Sequence, residues 1–172
     1  MRQLSRSSRR VLVVFHVVAS VGWLGVTLGL LALAVAGVTS DSPAETEAAF
    51  RSMKVFGDWL IIPLSLSALV TGLVLALGTP WGLARHRWVL TKFWLTLATA
   101  ALSAFSLRAG INEVAAQAVA GEEVANKANV IIPPAVSLAT YVFITAISVL
   151  KPWGPTGRGR RHRRQVVRSA AD

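Results

Sequence analysis

The chain has 172 residues, 53% of them hydrophobic and 15% charged, with a formal net charge of +10 and no cysteine. The apolar share is above, and the charged share below, what a water-soluble domain usually carries, which argues against a soluble globular class. The lack of cysteine excludes disulfides, thiolate metal sites and thiol nucleophiles.

Residues 1–10, MRQLSRSSRR, form a basic leader into the apolar block Val11 to Val38. Ala34-Val35-Ala36 imitates a small-residue cleavage site, but a cleavable apolar core runs only about 7 to 15 residues, and this one is longer. The block is therefore expected to remain as a membrane anchor. At about 100° per residue its polar members His16, Ser20, Trp23 and Thr27 share one side, and Gly22, Gly25, Gly29, Ala32 and Ala36 gather opposite. Small residues let another helix approach closely, so that face is expected to pack, within the bundle first and in an oligomer second.

In SPAETEAAF, Ser42 is placed to cap a helix whose first position is Pro43 and whose Glu45 completes a capping box. It leads into the second block, Trp59 to Leu77, with Gly57 and Pro63 as places to bend and a short hydroxyl stripe of Ser67 and Thr71. The third block, Trp88 to Leu107, carries Lys92, Thr96, Thr99, Ser103 and Ser106 at spacings of 4, 3, 4 and 3, a polar stripe down one side. The alanine-rich RAGINEVAAQAVAGEE extends that helix as far as Gly121. In the fourth block, Val130 to Leu150, Pro133 and Pro134 suit the first turn and Pro152 the end, with a looser stripe of Ser137, Tyr141, Thr145 and Ser148. Residues 151–172, which include GRGRRHRR, read as a basic, disordered tail that sets topology and meets anionic lipid; no nucleic acid is expected.

Each block is near the roughly 20 residues that cross a hydrocarbon core of about 30 Å, and none has a charged face. The fold class is therefore all-α: a polytopic membrane protein whose residues 11–150 make a four-helix transmembrane bundle in the lipid bilayer. Thirteen Lys and Arg residues fall before the first block, between the second and third, and after the fourth, against four in the other two connections. Seven of the eight acidic residues lie in those other connections. The bias predicts both termini cytoplasmic, with the helical extensions on the outer side.

His16 lies about 7.5 Å beyond Val11 along its helix, and Lys92 about 6 Å beyond Trp88, so the two enter the inner leaflet to similar depth. One reading has Lys92 snorkelling to the headgroups and His16 in the interface. The other has both lining one site, since ionisable residues in spans usually face the bundle interior.

FHVVASVGWLG, DWLIIPLSLSALVTGLVL and RWVLTKFWL resemble small four-helix integral membrane proteins of unknown function from bacteria, especially actinobacteria, over nearly the whole chain. More distantly, the first three spans resemble copper-resistance D-like proteins and the four-helix membrane protoporphyrinogen oxidases. The resemblance implies a multi-pass protein of the bacterial plasma membrane. In the oxidase-like group the corresponding His and Lys are associated with b-type haem and activity, which would make His16 and Lys92 a haem site here. Copper is disfavoured because Met53, outside the spans, is the one internal methionine. His86 and His162 lie outside the spans too, so haem would be five-coordinate or take Lys92 as sixth ligand.

Three functions follow. The first is a non-enzymatic protein that assembles with itself or another integral membrane protein, as the Gly/Ala face and the missing catalytic constellation suggest. The second is a haem-dependent membrane oxidoreductase using His16 and Lys92. The third is a small transporter lined by the hydroxyl stripes, a reading weakened by the lack of a mid-membrane carboxylate.

Overall fold

The computed structural model describes residues 4–79, 82–122, 124, 127–157 and 159–161. Four long helices carry the described chain: α1 Arg6–Thr39, α2 Pro43–Gly78, α3 Arg87–Val119 and α4 Lys127–Leu150, and no strand occurs among the described residues. All four are long and apolar enough to cross a membrane. They stand in a ring in which α1 packs on α2, α2 on α3, α3 on α4 and α4 back on α1. Short connections between successive neighbours are what an up-and-down bundle requires.

Local chemistry sets the helix ends. Ser5 caps α1 by accepting from the Ser8 N–H at 3.1 Å, and Ser42 caps α2 by accepting from the Glu45 N–H at 3.5 Å. The expected capping box is rerouted. The Glu45 carboxylate accepts from the Ser40 hydroxyl at 2.7 Å, and Ser40 Oγ in turn accepts from the Ser42 N–H at 3.1 Å. Gly121 ends α3 with a φ of +72°, a conformation in which a side chain would be strained. Helix α4 starts earlier than expected, so Pro133 and Pro134 lie inside it rather than in its first turn. Their missing N–H groups leave the Asn129 and Val130 carbonyls without the usual donor four residues on.

Two helices open into single π turns, Gly57–Ile61 in α2 and Ser103–Leu107 in α3, and the two turns touch. Pro63 accounts for the first. Its ring would clash with the Trp59 carbonyl four residues earlier, and a widened turn at that level moves the carbonyl aside.

The packing is inside-out by the standard of a soluble protein. The buried polar side chains are the hydroxyls of Thr27, Ser65, Thr71, Thr99 and Ser103, whereas Val14, Val18, Leu66, Val70, Phe105 and Val142 are exposed. Only lipid makes that arrangement favourable. The half of the bundle away from the termini is filled by an apolar core that includes Leu30, Phe50, Met53, Ile61, Leu107, Ile111 and Val130. At its rim, just before the apolar run that begins at Trp59, Lys54 and Arg108 contact the Asp58 carboxylate at 2.7 and 2.9 Å. Lys54 first and Arg108 second hold that carboxyl below the usual carboxylate range.

Both described ends of the chain meet the other end of the bundle. The Leu4 N–H donates to the Gly78 carbonyl at 3.1 Å. Disorder expected from Lys151 onward does not hold for residues 155–161, which fold back on the α2–α3 connection. Pro155 bridges His86, and Thr156 donates from its N–H to the Arg85 carbonyl at 2.8 Å and from Oγ1 to the Ala84 carbonyl at 2.7 Å. The remainder of the expected tail, His162 included, lies outside the described residues.

Candidate functional site

At the termini end of the bundle, His16 Nδ1 of α1 lies 2.9 Å from Thr71 Oγ1 of α2. The same hydroxyl is 2.5 Å from the Ser67 carbonyl. A hydroxyl has one proton, and the short contact to a carbonyl claims it, so Thr71 accepts from the imidazole. The tautomer follows: Nδ1 carries the proton and Nε2 presents a lone pair. The ring edge rests against α2, because a Cβ at Gly72 would stand 3.0 Å from His16 Cε1. Glycine is the residue that leaves the imidazole room there.

Lys92 of α3 donates from Nζ to Ser148 Oγ of α4. Each ionisable side chain is thus half-buried and tied to a hydroxyl on the next helix around the ring, and the Lys92 charge is near enough to act on the imidazole. All four helices contribute one polar residue at this end.

The rest of the expected polar seam divides. Thr27, Thr99 and Thr145 return their hydroxyls to the Trp23, Leu95 and Tyr141 carbonyls of their own helices, at 2.9, 2.7 and 2.8 Å. Ser103 and Tyr141 are buried, and Ser20 and Thr96 are partly buried. Thr145 is exposed, so its place in the seam is corrected. The inward line of α4 runs from Tyr141 to Ser148, a seven-residue step that returns within about 20°, whereas a four-residue step drifts about 40°.

The expected small-residue packing face divides as well. Gly22 and Gly29 adjoin α2, since a Cβ on either would be 3.2 Å from Leu64 or Phe56. A Cβ at Gly25 would meet nothing within 4 Å, and Ala32 and Ala36 are exposed, so these three do not pack within the chain. Gly25 falls about 60° from Gly22 around the helix and so turns outward. The tightest approach on α1 is instead at Gly37, where a Cβ would stand 2.7 Å from the Phe50 ring. No group of three His, Cys, Asp or Glu side chains suited to a metal ion occurs among the described residues.

Four long apolar helices and the residues on them match what a comparison with known families finds: residues 10–151 fit the family described as a predicted integral membrane protein (DUF2269). The chain belongs to this family. No curated protein and no solved structure matches. This DUF2269 member is an integral membrane protein, and the family description names no reaction.

Sequence reasoning put His16 and Lys92 at matched depth but missed their partners. Thr71 and Ser148 stood in stripes of hydroxyls, and the usable signal was their distance from the span ends, since both lie near the same end as His16 and Lys92. Gly72 gave no signal, because a glycine in a membrane span is common. A cleft of about 520 Å³ opens elsewhere, between the outer part of α3 and the start of α4, with Glu113, Gln117 and Asn129 as its polar lining beside Ser106.

Proposed function

We propose that the protein holds a cofactor in the membrane at the termini end of its bundle, with His16 as ligand and Lys92 as the facing cation, and that the cofactor is a b-type haem. The observation that carries this reading is the His16–Thr71 pair. A metal-ligating histidine commonly donates its second N–H to a neighbouring group that fixes tautomer and ring orientation, and Thr71 stands in that position, leaving Nε2 for the iron. Neutral imidazole is the usual proximal ligand of haem, so the donor fits. When bound, haem supplies one-electron redox chemistry. His16 would hold the group, Thr71 would orient the ring, and Lys92 would place a positive charge opposite an acidic group on the cofactor. The resemblance to the four-helix protoporphyrinogen oxidases supports the same two residues. The apolar filling of the opposite half favours a site entered from one side over a transport path, which needs access from both.

The test is the spectrum of the purified protein from cells supplied with haem precursor. A Soret band is expected in the wild type and should vanish in His16→Leu with helicity retained, while Lys92→Leu should weaken it. In a double-mutant cycle on stability the two losses should be non-additive, because either substitution alone already breaks the shared site. A colourless wild type with additive, near-zero effects would overturn the reading.

A second reading is assembly with another copy or another integral membrane protein, favoured by Gly25, Ala32 and Ala36 lying bare on the outer surface of α1. Under either reading we place both termini in the cytoplasm, with the basic residues at that end, Arg6, Arg9, Arg10, Arg160 and Arg161 among them, against anionic lipid headgroups of the plasma membrane.

A further inference from the structure

Near the middle of α1, beyond His16, the bundle closes around Trp23, whose ring lies 4.5 Å from that of Tyr141 on α4 at an interplanar angle of 49°. Thr27 and Ser103 also reach toward the Tyr141 hydroxyl, so three helices bring polar atoms to one point. The residues are deeply buried, at 4% relative exposure for Trp23, 2% for Ser103 and 6% for Tyr141. Yet Trp23 Nε1, Ser103 Oγ and Tyr141 Oη have no partner at hydrogen-bonding geometry among the described residues. Buried polar groups left unpaired in an apolar medium are costly, and three of them facing one another call for a shared partner.

The atoms themselves state what that partner is. An indole N–H only donates. Thr27 Oγ1 has given its proton to the Trp23 carbonyl at 2.9 Å, so toward the cluster it only accepts. The Ser103 and Tyr141 hydroxyls each offer one proton and lone pairs. An anion would be repelled by the lone pairs of Thr27, and a cation would face the indole N–H. What satisfies one donor, one acceptor and two groups able to do either is a neutral oxygen with two protons and two lone pairs. We infer that a water molecule is bound at the centre of the bundle by Trp23, Thr27, Ser103 and Tyr141, joining α1, α3 and α4 within the membrane. The site is independent of any cofactor at His16. The π turn of α3 contributes to it, since Ser103 is the first residue of that turn.

The experiment uses the full chain in lipid nanodiscs with ¹⁵N-labelled tryptophan, and reads the cross-peak between indole N–H groups and long-lived water. Trp23→Phe identifies the signal among the six tryptophans. A water cross-peak is expected at Trp23 and is expected to survive in Tyr141→Phe, where Thr27 and Ser103 still hold the water. It should be lost in the double variant Thr27→Val, Ser103→Ala. Absence from the wild type would overturn the inference, and that measurement needs no variant to fold beyond the one used for assignment. Loss in a folded Tyr141→Phe would overturn it too, because the indole would then be bonded to the tyrosine itself with exchange relayed through its hydroxyl. Persistence in the folded double variant would count equally against it.

Discussion

At Gly72 a hydrogen stands where a methyl group would press on the His16 ring at 3.0 Å. A Cβ contact that close forces the neighbour to shift by a few tenths of an ångström, and the imidazole cannot yield freely because Nδ1 is held by Thr71. Gly72→Ala should therefore cost roughly 0.5–1.5 kcal/mol, the scale of a side chain driven off its rotamer, and should shift any His16-dependent absorbance. Thermal unfolding in detergent, followed together with the spectrum, checks both; an unchanged Tm and an unmoved spectrum would show the ring to be unconstrained. The same neighbourhood marks how far a sequence can be read at this scale. His16 and Lys92 were legible because an ionisable group in an apolar run is an exception that demands a partner. Their partners were ordinary hydroxyls, and a hydroxyl can return its bond to its own helix as Thr27, Thr99 and Thr145 do. Nothing in the spacing separates Thr71, which reaches across, from Thr99, which does not.

Helix α1 shows how a motif divides once a neighbour is in place. Gly25 and Gly29 form the GxxxG that marks close helix approach, but α2 meets the line through Gly22 and Gly29 and leaves Gly25 open. The tighter constraint lies at Gly37, outside the motif, where a Cβ would stand 2.7 Å from the buried Phe50 ring. Gly37→Ala should overpack that contact and destabilise the bundle by about 1–3 kcal/mol. Gly25→Leu, by contrast, should leave the melting temperature of the monomer in detergent nearly unchanged, and should reduce cross-linking in a bilayer if this face holds a second copy. Equal losses of monomer stability from the two substitutions would mean that Gly25 is packed after all. Helix existence was legible from the apolar blocks, and so were the Ser42 and Gly121 boundaries from their capping residues. The π turns were not. Gly57 and Pro63 signalled a bend in α2, but the turn in α3 has no proline near it, and its widening depends on the facing turn of α2 rather than on its own residues.

Seen as a whole, the bundle is polar inside at the termini end, where His16, Thr71, Lys92 and Ser148 meet, and apolar inside at the other, where Phe50, Met53 and Leu107 are packed. That asymmetry gives the molecule a direction, and the membrane gives it an absolute sense through the positive-inside bias. The contacts make one part of the topology prediction independent of charge. Ala84 and Arg85 hydrogen-bond Thr156, so reporters at residue 84 and at the C-terminus must report the same compartment. The extensions of α2 and α3 pack on each other, so reporters at 45 and 122 must agree with one another and differ from the first pair. The Lys/Arg bias then fixes the sign, with 84 and the C-terminus cytoplasmic and 45 and 122 outside. Fusions to a periplasm-active enzyme and to a cytoplasm-active fluorophore at all four positions read both parts. Disagreement within a pair would contradict the bundle itself, whereas agreement with every sign reversed would leave the bundle standing and move the His16–Lys92 site to the outer leaflet. A cofactor or anionic partner at that site would then have to be supplied from outside the cell.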